Sequence, residues 1–425
     1  MMDRVEGVHP ARPWLIAPAR LSGAIFWICV FLGGFVINEP APYDLVLAGV
    51  VTIWLFLGLK IHREFGPMIV LMLVFVSGGL LSLTQSSLIN SQVYMYYAVT
   101  SFLVATSVLY AAAIVDDPRR LKILRNAYVA AGLVTGLAGV IGYFHLLPGS
   151  DLFTLYGRAK GAFQDPNVFG PFLVLPITFL VREALTEPVR RAPMRLVALG
   201  ILLIAILLAF SRAAWGLTAF ASVAVGTMVF INERDPRKRL RLIVIGVAGV
   251  FLLSLVVLFV LSTKSASALF AERAHLVNSY DAGRLGRFAR YLLGFELVSQ
   301  HPLGIGPFDF SVIFPEDPHN TYLKAFVAYG WLGGISYAVL YFWTLFRLIP
   351  VAFQNRPWQP YAQCVLAVML GHTVVQAIID TDHWRHLYLY FGVAWGIIAL
   401  EKKASRAYRK SLRAGTAEAG RRASL

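Results

Sequence analysis

Charged residues and cysteines are scarce in this sequence of 425 residues. Only 14% of the residues are charged and 58% are hydrophobic, whereas about 25% charged residues are usual in a soluble domain. This shortage of charge excludes an ordinary soluble protein. The two cysteines, Cys29 and Cys364, both fall within apolar stretches. Neither a disulfide framework nor a cysteine metal site is therefore indicated.

Long apolar stretches dominate instead. A membrane-spanning helix needs roughly 20 mostly apolar residues, and turns and charges divide the chain into about twelve such stretches. They cover residues 20–37, 43–59, 67–83, 93–115, 123–147, 167–181, 195–210, 213–231, 242–262, 321–346, 361–379 and 384–400. The sixth and seventh are short, so eleven spans or a broken helix are alternatives. We predict an all-α, polytopic integral membrane protein with about 12 transmembrane helices. Because residues 1–20 are polar and lead into a full span, no cleavable signal peptide is expected.

Acidic residues are outnumbered, with 23 Asp and Glu against 38 Lys and Arg and a formal net charge of +15. Basic residues collect in cytoplasmic loops. With the N-terminus inside and an even number of spans, 28 of the 38 fall on cytoplasmic segments, which places both termini in the cytoplasm. The charge then reflects topology and attraction to anionic membrane lipids. The basic tail 401–425 has no interleaved aromatic residue beyond Tyr408, so we expect a disordered, lipid-facing tail and no nucleic-acid binding.

Ten basic residues remain on the predicted outer face: Arg158, Lys160, Arg212, Lys264, Arg273, Arg284, Arg287, Arg290, Lys324 and Arg385. Solvation in a long loop explains Lys264 and Arg273. It does not explain Arg212, because residues 209–215 join two apolar spans with almost no loop. An Arg at that depth costs several kcal/mol without a polar cavity or partner. Arg212 is therefore expected to point into an aqueous site near the outer leaflet, or alternatively to snorkel to outer headgroups.

The segment 156–167 contains two further outer cations, Arg158 and Lys160. Its Gly and Pro residues favour a tight re-entrant turn. Asp165 and Asn167 can cap the helix that follows.

A polar interruption from Lys264 to His319 separates two apolar spans. It contains apolar residues three and four apart, which predict an amphipathic helix on the membrane surface or under the loop. They are Leu285, Phe288, Tyr291, Leu292, Phe295 and Val298. Arg284, Arg287 and Arg290 line one side of this helix and could bind one polyanion or lipid phosphates. The interruption ends at His319-Asn320, where Asn320 can cap the next helix.

A metal site is an alternative, because loops 316–319 and 380–386 bring carboxylates and imidazoles to the same face. His383 and His386 could share a cation. However, no His or Cys pair has a recognised zinc spacing, and a polar interfacial turn explains loop 380–386 more simply. We predict no metal and no cofactor.

Four motifs in order resemble the O-antigen ligase and Wzy-type polysaccharide polymerase superfamily. They span roughly residues 156–334 and lie on the predicted outer face. The first is Arg158 with residues 161–167, and the second is the sequence around Arg212 at 211–214. The third is Arg284 followed by 301–306, and the fourth is His319 followed, after ten intervening residues, by Gly330. The Arg, three residues, Leu pattern of some ligases is not found in the large outer loop, which leaves polymerases equally open.

The resemblance implies a GT-C-like glycosyltransferase at the periplasmic face of the bacterial inner membrane. It would transfer a glycan from an undecaprenyl diphosphate-linked donor to lipid A-core or a glycan acceptor, by inversion and without metal or nucleotide. A chain-length regulator is a possible partner. The implied chain divides into a transmembrane bundle (1–262), a large periplasmic loop (263–320), C-terminal transmembrane helices (321–400) and a basic cytoplasmic tail (401–425).

The resemblance also assigns residue roles. Arg158 and Arg212 would clamp the diphosphate, since guanidinium binds phosphate oxygens bidentately. His319 would orient a diphosphate oxygen as imidazolium or take the acceptor proton as neutral imidazole. The predicted substrate-binding residues are Arg284, Lys160, Asn167, Asn320 and Arg287. Asp309, Glu316 and Asp317 are further carboxylates from which a base could come.

Two other functions compete with the one that the resemblance implies. A transporter or flippase should show internal symmetry and midplane sites, and no convincing repeat is visible. A non-catalytic scaffold would tolerate replacement of Arg212 or His319.

Overall fold

The chain is built almost wholly of helices. The computed structural model describes residues 13–58, 60–188, 192–262, 286–314 and 316–423, and fourteen α-helices lie within these ranges. They are α1 (Pro13–Leu32), α2 (Pro42–Phe56), α3 (Gly66–Leu83), α4 (Ser91–Asp116), α5 (Arg120–Tyr143), α6 (Pro166–Thr186), α7 (Ala192–Leu208), α8 (Arg212–Asn232), α9 (Pro236–Leu261), α10 (Arg287–Gln300), α11 (Phe310–Ile313), α12 (Thr321–Ala352), α13 (Gln359–Val375) and α14 (Arg385–Ala423).

Every predicted apolar stretch overlaps a helix, and α6 and α7 are two separate helices. Among the described residues, seven helices are long and apolar enough to cross a membrane: α3 to α6, α8, α9 and α12. Three shorter apolar helices lie in α1, α2 and α7. The all-α membrane class is therefore confirmed, while the count of twelve spans stays a prediction.

The bundle packs through pairs of helices that are distant in sequence. Helix α3 lies along α12, α4 along α14, and α8 along both α6 and α13. The most enclosed segment is residues 387–400 of α14, where Trp395 donates from Nε1 to Thr344 Oγ1 at 2.8 Å. Helix α9 is the opposite case, because none of its apolar window is buried in the protein. Most of its side chains are exposed, although Leu242 and Val260 are buried.

Polar contacts join the loops at each end of the bundle. At one end, Arg406 pairs with Glu64 at 2.6 Å, and His62 contacts Asp116 at 2.9 Å. At the other end, Arg385 pairs with Asp44 at 2.7 Å. Loops predicted on a common side of the membrane thus meet at a common end of the protein. We call the end with Arg385 the outer end and the other the inner end.

The basic tail differs from its prediction. We expected disorder from Glu401 onwards, but α14 continues as a helix to Ala423. Lys402 donates from Nζ to the Glu64 carbonyl at 3.0 Å, next to the Arg406 ion pair. The tail extends a buried helix that is already formed, so it needs no new helix nucleus.

Candidate functional site

A short hairpin places Arg158 at the outer end. Strands β1 (Thr154–Leu155) and β2 (Arg158–Ala159) pair antiparallel and are joined by Tyr156 and Gly157, both at positive φ. Two positive φ values in a two-residue loop are typical of a type I′ hairpin. The predicted re-entrant turn is therefore a β-hairpin.

The Arg158 guanidinium is buried and held by two neutral acceptors. Nε donates to the Ala209 carbonyl at 2.8 Å, and Nη2 donates to Asn167 Oδ1 at 2.9 Å. Asp165 caps α6 as predicted, accepting from the Asn167 backbone N–H at 2.6 Å. The Asn167 side chain instead positions Arg158. Two hydrogen-bonded acceptors at these distances hold the planar guanidinium in one orientation.

Arg212 is the half-buried first residue of α8. The chain turns from α7 into α8 over three residues, with Phe210 at φ 45°. Because Arg158 bonds Ala209, three residues before Arg212, the hairpin is fastened to the turn that carries Arg212. Lys160 follows on the hairpin and is half-buried, with its backbone N–H bonded to the Phe153 carbonyl at 2.9 Å.

His319 and Asn320 lie where α12 begins. Asn320 Oδ1 accepts from the Leu323 backbone N–H at 3.0 Å, which confirms the predicted cap. His319 is in the left-handed region at φ 47°, a conformation that costs a non-glycine residue free energy and is common at functional sites. Its carbonyl accepts from Tyr291 Oη of α10 at 3.0 Å.

The predicted amphipathic helix is α10, and it packs on α12 through a small apolar cluster that includes Val298, Leu323 and Val327. Arg290 of α10 is buried, and its Nη2 donates to Glu316 Oε2 at 2.8 Å, while Nε and Nη1 have no hydrogen-bond partner. Arg284 lies outside the described residues, and Arg287 is the first residue of α10. Arg290 therefore contacts the segment before His319 through Glu316.

Two glycines, Gly304 of the third motif and Gly330 of the fourth, allow these two motifs to pack closely together. Gly330 interrupts α12 at φ 63° and ψ −172°, and a Cβ there would lie 2.7 Å from the Leu303 carbonyl carbon. Gly304, at φ 81°, abuts the same kink, and a Cβ there would lie 2.9 Å from the Gly330 nitrogen. The kink is fixed because the Trp331 N–H donates to the Pro302 carbonyl at 2.8 Å. The segment 301–306 is thus docked backbone to backbone on α12.

The three carboxylates named as possible bases all have partners. Asp309 accepts from Ser86 Oγ at 2.7 Å, from the Ser87 N–H at 2.8 Å and from Ser87 Oγ. Glu316 pairs with Arg290, as described. Asp317 pairs with the buried Lys324, whose Nζ lies 3.2 Å from Asp317 Oδ1.

Lys324 joins this region to the loop between α13 and α14. Its Nζ also donates to the Pro307 carbonyl at 2.6 Å and lies 6.0 Å from the centre of the Tyr96 ring. Tyr96 Oη donates to Asp382 Oδ2. Asp380 of the same loop has one buried oxygen, Oδ1, without a hydrogen-bond partner. Burial raises the pKa of Asp380 to about 7, and nearby Lys324 opposes that rise.

Sequence reasoning missed Lys324 and Asp380 as site residues. The signal was present for Lys324, since a lysine within the first turn of an apolar span needs a partner.

His383 and His386 do not share a ligand position. His383 Nε2 lies 2.9 Å from Thr100 Oγ1, and its Nδ1 lies 3.8 Å from Asp382. His386 instead stands against His372, with ring centres 6.1 Å apart. Within the described ranges, no group of three or more His, Cys, Asp or Glu side chains could hold a metal ion.

Helix α13 lies between the two halves of the site. Leu217 of α8 contacts α13 at Gly371, and the two helices run in opposite directions. Arg212 lies five residues before Leu217, and Gln376 lies five residues after Gly371. Each is therefore about 7.5 Å nearer the outer end than this contact. The Gln376 carbonyl accepts from the Thr321 N–H at 2.7 Å. Arg212 and His319 therefore both lie beside the outer end of α13.

These features define a polytopic helical membrane protein with a cation-lined polar site at one end of its bundle. Residues 197–338, roughly a third of the chain, match the model of the O-antigen ligase family. This match supports membership of the O-antigen ligase and polymerase superfamily that the motifs resemble. The match includes Arg212, His319 and Gly330, whereas Arg158 precedes it. No curated protein matches the chain significantly.

Proposed function

We propose that this protein is a glycosyltransferase of the bacterial inner membrane. It moves a glycan from an undecaprenyl diphosphate carrier to lipid A-core or to another glycan, at the periplasmic face and without a metal ion. The observation that carries the proposal is the immobilised Arg158 guanidinium, fastened to the turn that presents Arg212.

The chemistry requires that clamp. As the glycan leaves, negative charge grows on the diphosphate of the carrier. Fixed cations in a site with little water stabilise such charge strongly, because they need no reorganisation during the reaction. Arg158 and Arg212 supply two such cations, and guanidinium keeps its charge when partly desolvated. Lys160 and Asn167, on the same segment, would contact the donor.

His319 completes the site from the other side of α13. As imidazolium it would orient a diphosphate oxygen, and as neutral imidazole it would take a proton from the acceptor hydroxyl. Asn320 would fix the backbone next to it, with Arg284 and Arg287 as second-rank phosphate contacts. Direct attack by the acceptor hydroxyl inverts the configuration of the anomeric carbon.

The one-sided position of these groups favours an enzyme over a transporter. Alternating access needs a substrate site near the midplane, reachable from both faces. Here Arg158, Arg212, Arg290, His319 and Lys324 all lie at the outer end. The inner end holds a different set of polar contacts, in which arginines pair with carboxylates.

The test is glycan transfer by the purified protein in proteoliposomes. The donor is an undecaprenyl diphosphate oligosaccharide, and purified lipid A-core is the only other acceptor. Product on lipid A-core identifies a ligase, and lengthening of the donor's own glycan identifies a polymerase. Folded protein that gives neither product would contradict the proposal and return attention to a transporter.

A further inference from the structure

The carboxyl group of Asp380 is the feature at the outer end that the roles above leave unexplained. Asp380 lies between α13 and α14, and its Oδ1 is buried with no hydrogen-bond partner. Buried polar atoms in proteins are nearly always hydrogen-bonded. An acceptor left unpaired in the free protein gains the most when a ligand hydroxyl reaches it.

The charged neighbours of Asp380 are already occupied. Lys324 of α12 is engaged by the Pro307 carbonyl and by Asp317. Asp382, in the same loop, accepts from Tyr96 of α4 and lies near His383. The Asn320 backbone N–H also faces the Asp380 carboxyl and favours its charged form. Among these groups, Asp380 keeps an oxygen available.

The loop of Asp380 is fastened to the start of α12. Thr321 Oγ1 donates to the Ile379 carbonyl at 2.8 Å, and the Thr381 N–H donates to Thr321 Oγ1 at 2.9 Å. The Asp380 carboxyl contacts Asn320, which is the residue that follows His319 in the sequence. The carboxylate is thus held on a rigid support beside the proposed reaction centre.

We propose that Asp380 is the general base of the transfer, and this inference rests on the proposed function. The acceptor hydroxyl gives its proton to Asp380 Oδ1 while its oxygen forms the bond to the anomeric carbon. The bond from that carbon to the diphosphate oxygen breaks, and its electron pair leaves on the diphosphate held by Arg158 and Arg212. The proton then passes from Asp380 to water. His319 is left to orient the diphosphate.

The titration of Asp380 agrees with this role. A general base works best when its pKa lies near the operating pH, and burial raises the pKa of Asp380 to about 7. Deprotonation is needed for action, so transfer should rise with pH through about 7.

The test compares Asp380→Asn with Asp309→Asn in the transfer assay. Asp309 is a matched control, because it is an outer-end aspartate with buried oxygens, as Asp380 is, but its oxygens are bound to Ser86 and Ser87. Asp380→Asn should lower kcat by about 10² to 10⁴-fold and remove the rise with pH from the residual rate. Binding of undecaprenyl diphosphate should be unchanged. Asp309→Asn should keep the wild-type pH profile in whatever fraction folds.

Three outcomes would overturn the role of Asp380 while leaving the proposed function intact: a wild-type rate in Asp380→Asn, a loss confined to donor binding, or a pH limb that disappears in His319→Gln instead. If Asp380→Asn does not fold, Asp380→Glu decides. It retains a displaced carboxylate, and an unaltered rate and pH limb would overturn the proposal. Failure of the wild-type protein to transfer any glycan would instead contradict the proposed function itself.

Discussion

Arg158 donates a hydrogen bond from Nε to the carbonyl oxygen of Ala209 at 2.8 Å. The two residues are 51 positions apart in sequence, and the bond fixes the hairpin to the turn between α7 and α8. The Ala209 carbonyl at the end of α7, which has no partner within the helix, thereby holds the Arg158 guanidinium in place.

Replacement of Arg158 by Lys should lower glycan transfer about a hundredfold. An ammonium group cannot reproduce the planar guanidinium that bonds Ala209 and Asn167 and that, in the proposed function, also bonds a phosphate. The control is Arg182→Lys at the inner end, where Arg182 Nε likewise donates to a neutral oxygen, Gln363 Oε1, at 2.8 Å. The measurement is initial rate in proteoliposomes. Equal losses in both variants would indicate a general stability effect and contradict the clamp.

Arg212→Lys should give a loss of similar size, because it keeps the charge but loses bidentate geometry. If both arginines hold one diphosphate, their effects should not add. The double variant should then be much less impaired than the product of the two single losses, since groups that act as a unit are non-additive. Wild-type turnover by Arg212→Lys would contradict a bidentate role.

Gly330→Ala should destabilise the protein by at least about 2 kcal/mol, because this backbone conformation is nearly restricted to glycine. The new Cβ would also strike the Leu303 carbonyl, at 2.7 Å from its carbon and 2.8 Å from its oxygen. Gly246→Ala in α9 is the control, since nothing lies within 4 Å of a Cβ there. Thermal unfolding in detergent measures both. Equal midpoints would show that the kink tolerates a side chain.

The stability of the wild-type protein should depend on pH through Asp380. Because burial raises the pKa of Asp380 in the folded state to about 7, the folded protein binds a proton there that the unfolded chain releases. This contribution is present at low pH and is lost as pH rises through about 7. Compared with Asp380→Asn, the wild-type midpoint of thermal unfolding should fall between about pH 5 and about pH 8. A constant difference would contradict the raised pKa.

Chelation by EDTA should leave transfer intact, because the proposed clamp uses guanidinium groups in place of a metal. The measurement is the rate before and after dialysis against chelator. Loss of activity that a divalent ion restores would shift attention to the loop containing Asp382 and His383.

Sequence patterns predicted the helices well, since each apolar stretch is set by local composition. Caps were predictable for the same reason, and Asp165 and Asn320 occupy the expected positions. The site was only partly predictable. Arg212 stood out because its depth in the membrane demands a partner, whereas the partner role of Asn167 depends on a hairpin that folds back onto α6.

Pairings between distant segments account for what sequence analysis missed. The proposed base, Asp380, is one of several polar residues in a short loop. Only the fold shows that Asp382 accepts from Tyr96 while Asp380 Oδ1 has no hydrogen-bond partner. The helical tail was missed because its composition is that of a disordered segment. Its helix depends on continuity with the buried part of α14.

The distance along helix α14 between two ion pairs is close to the thickness of a membrane. Arg385 grips Asp44 with two bonds of 2.8 and 2.7 Å at the outer end, and Arg406 grips Glu64 at the inner end. These arginines are separated by about 32 Å of helix, close to the roughly 30 Å hydrocarbon thickness of a bilayer. A thinner or thicker bilayer would strain both the Arg385–Asp44 and the Arg406–Glu64 ion pairs. Hydrophobic mismatch would then reach Asp380, five residues before Arg385, and lipid chain length would set how well the catalytic loop is aligned.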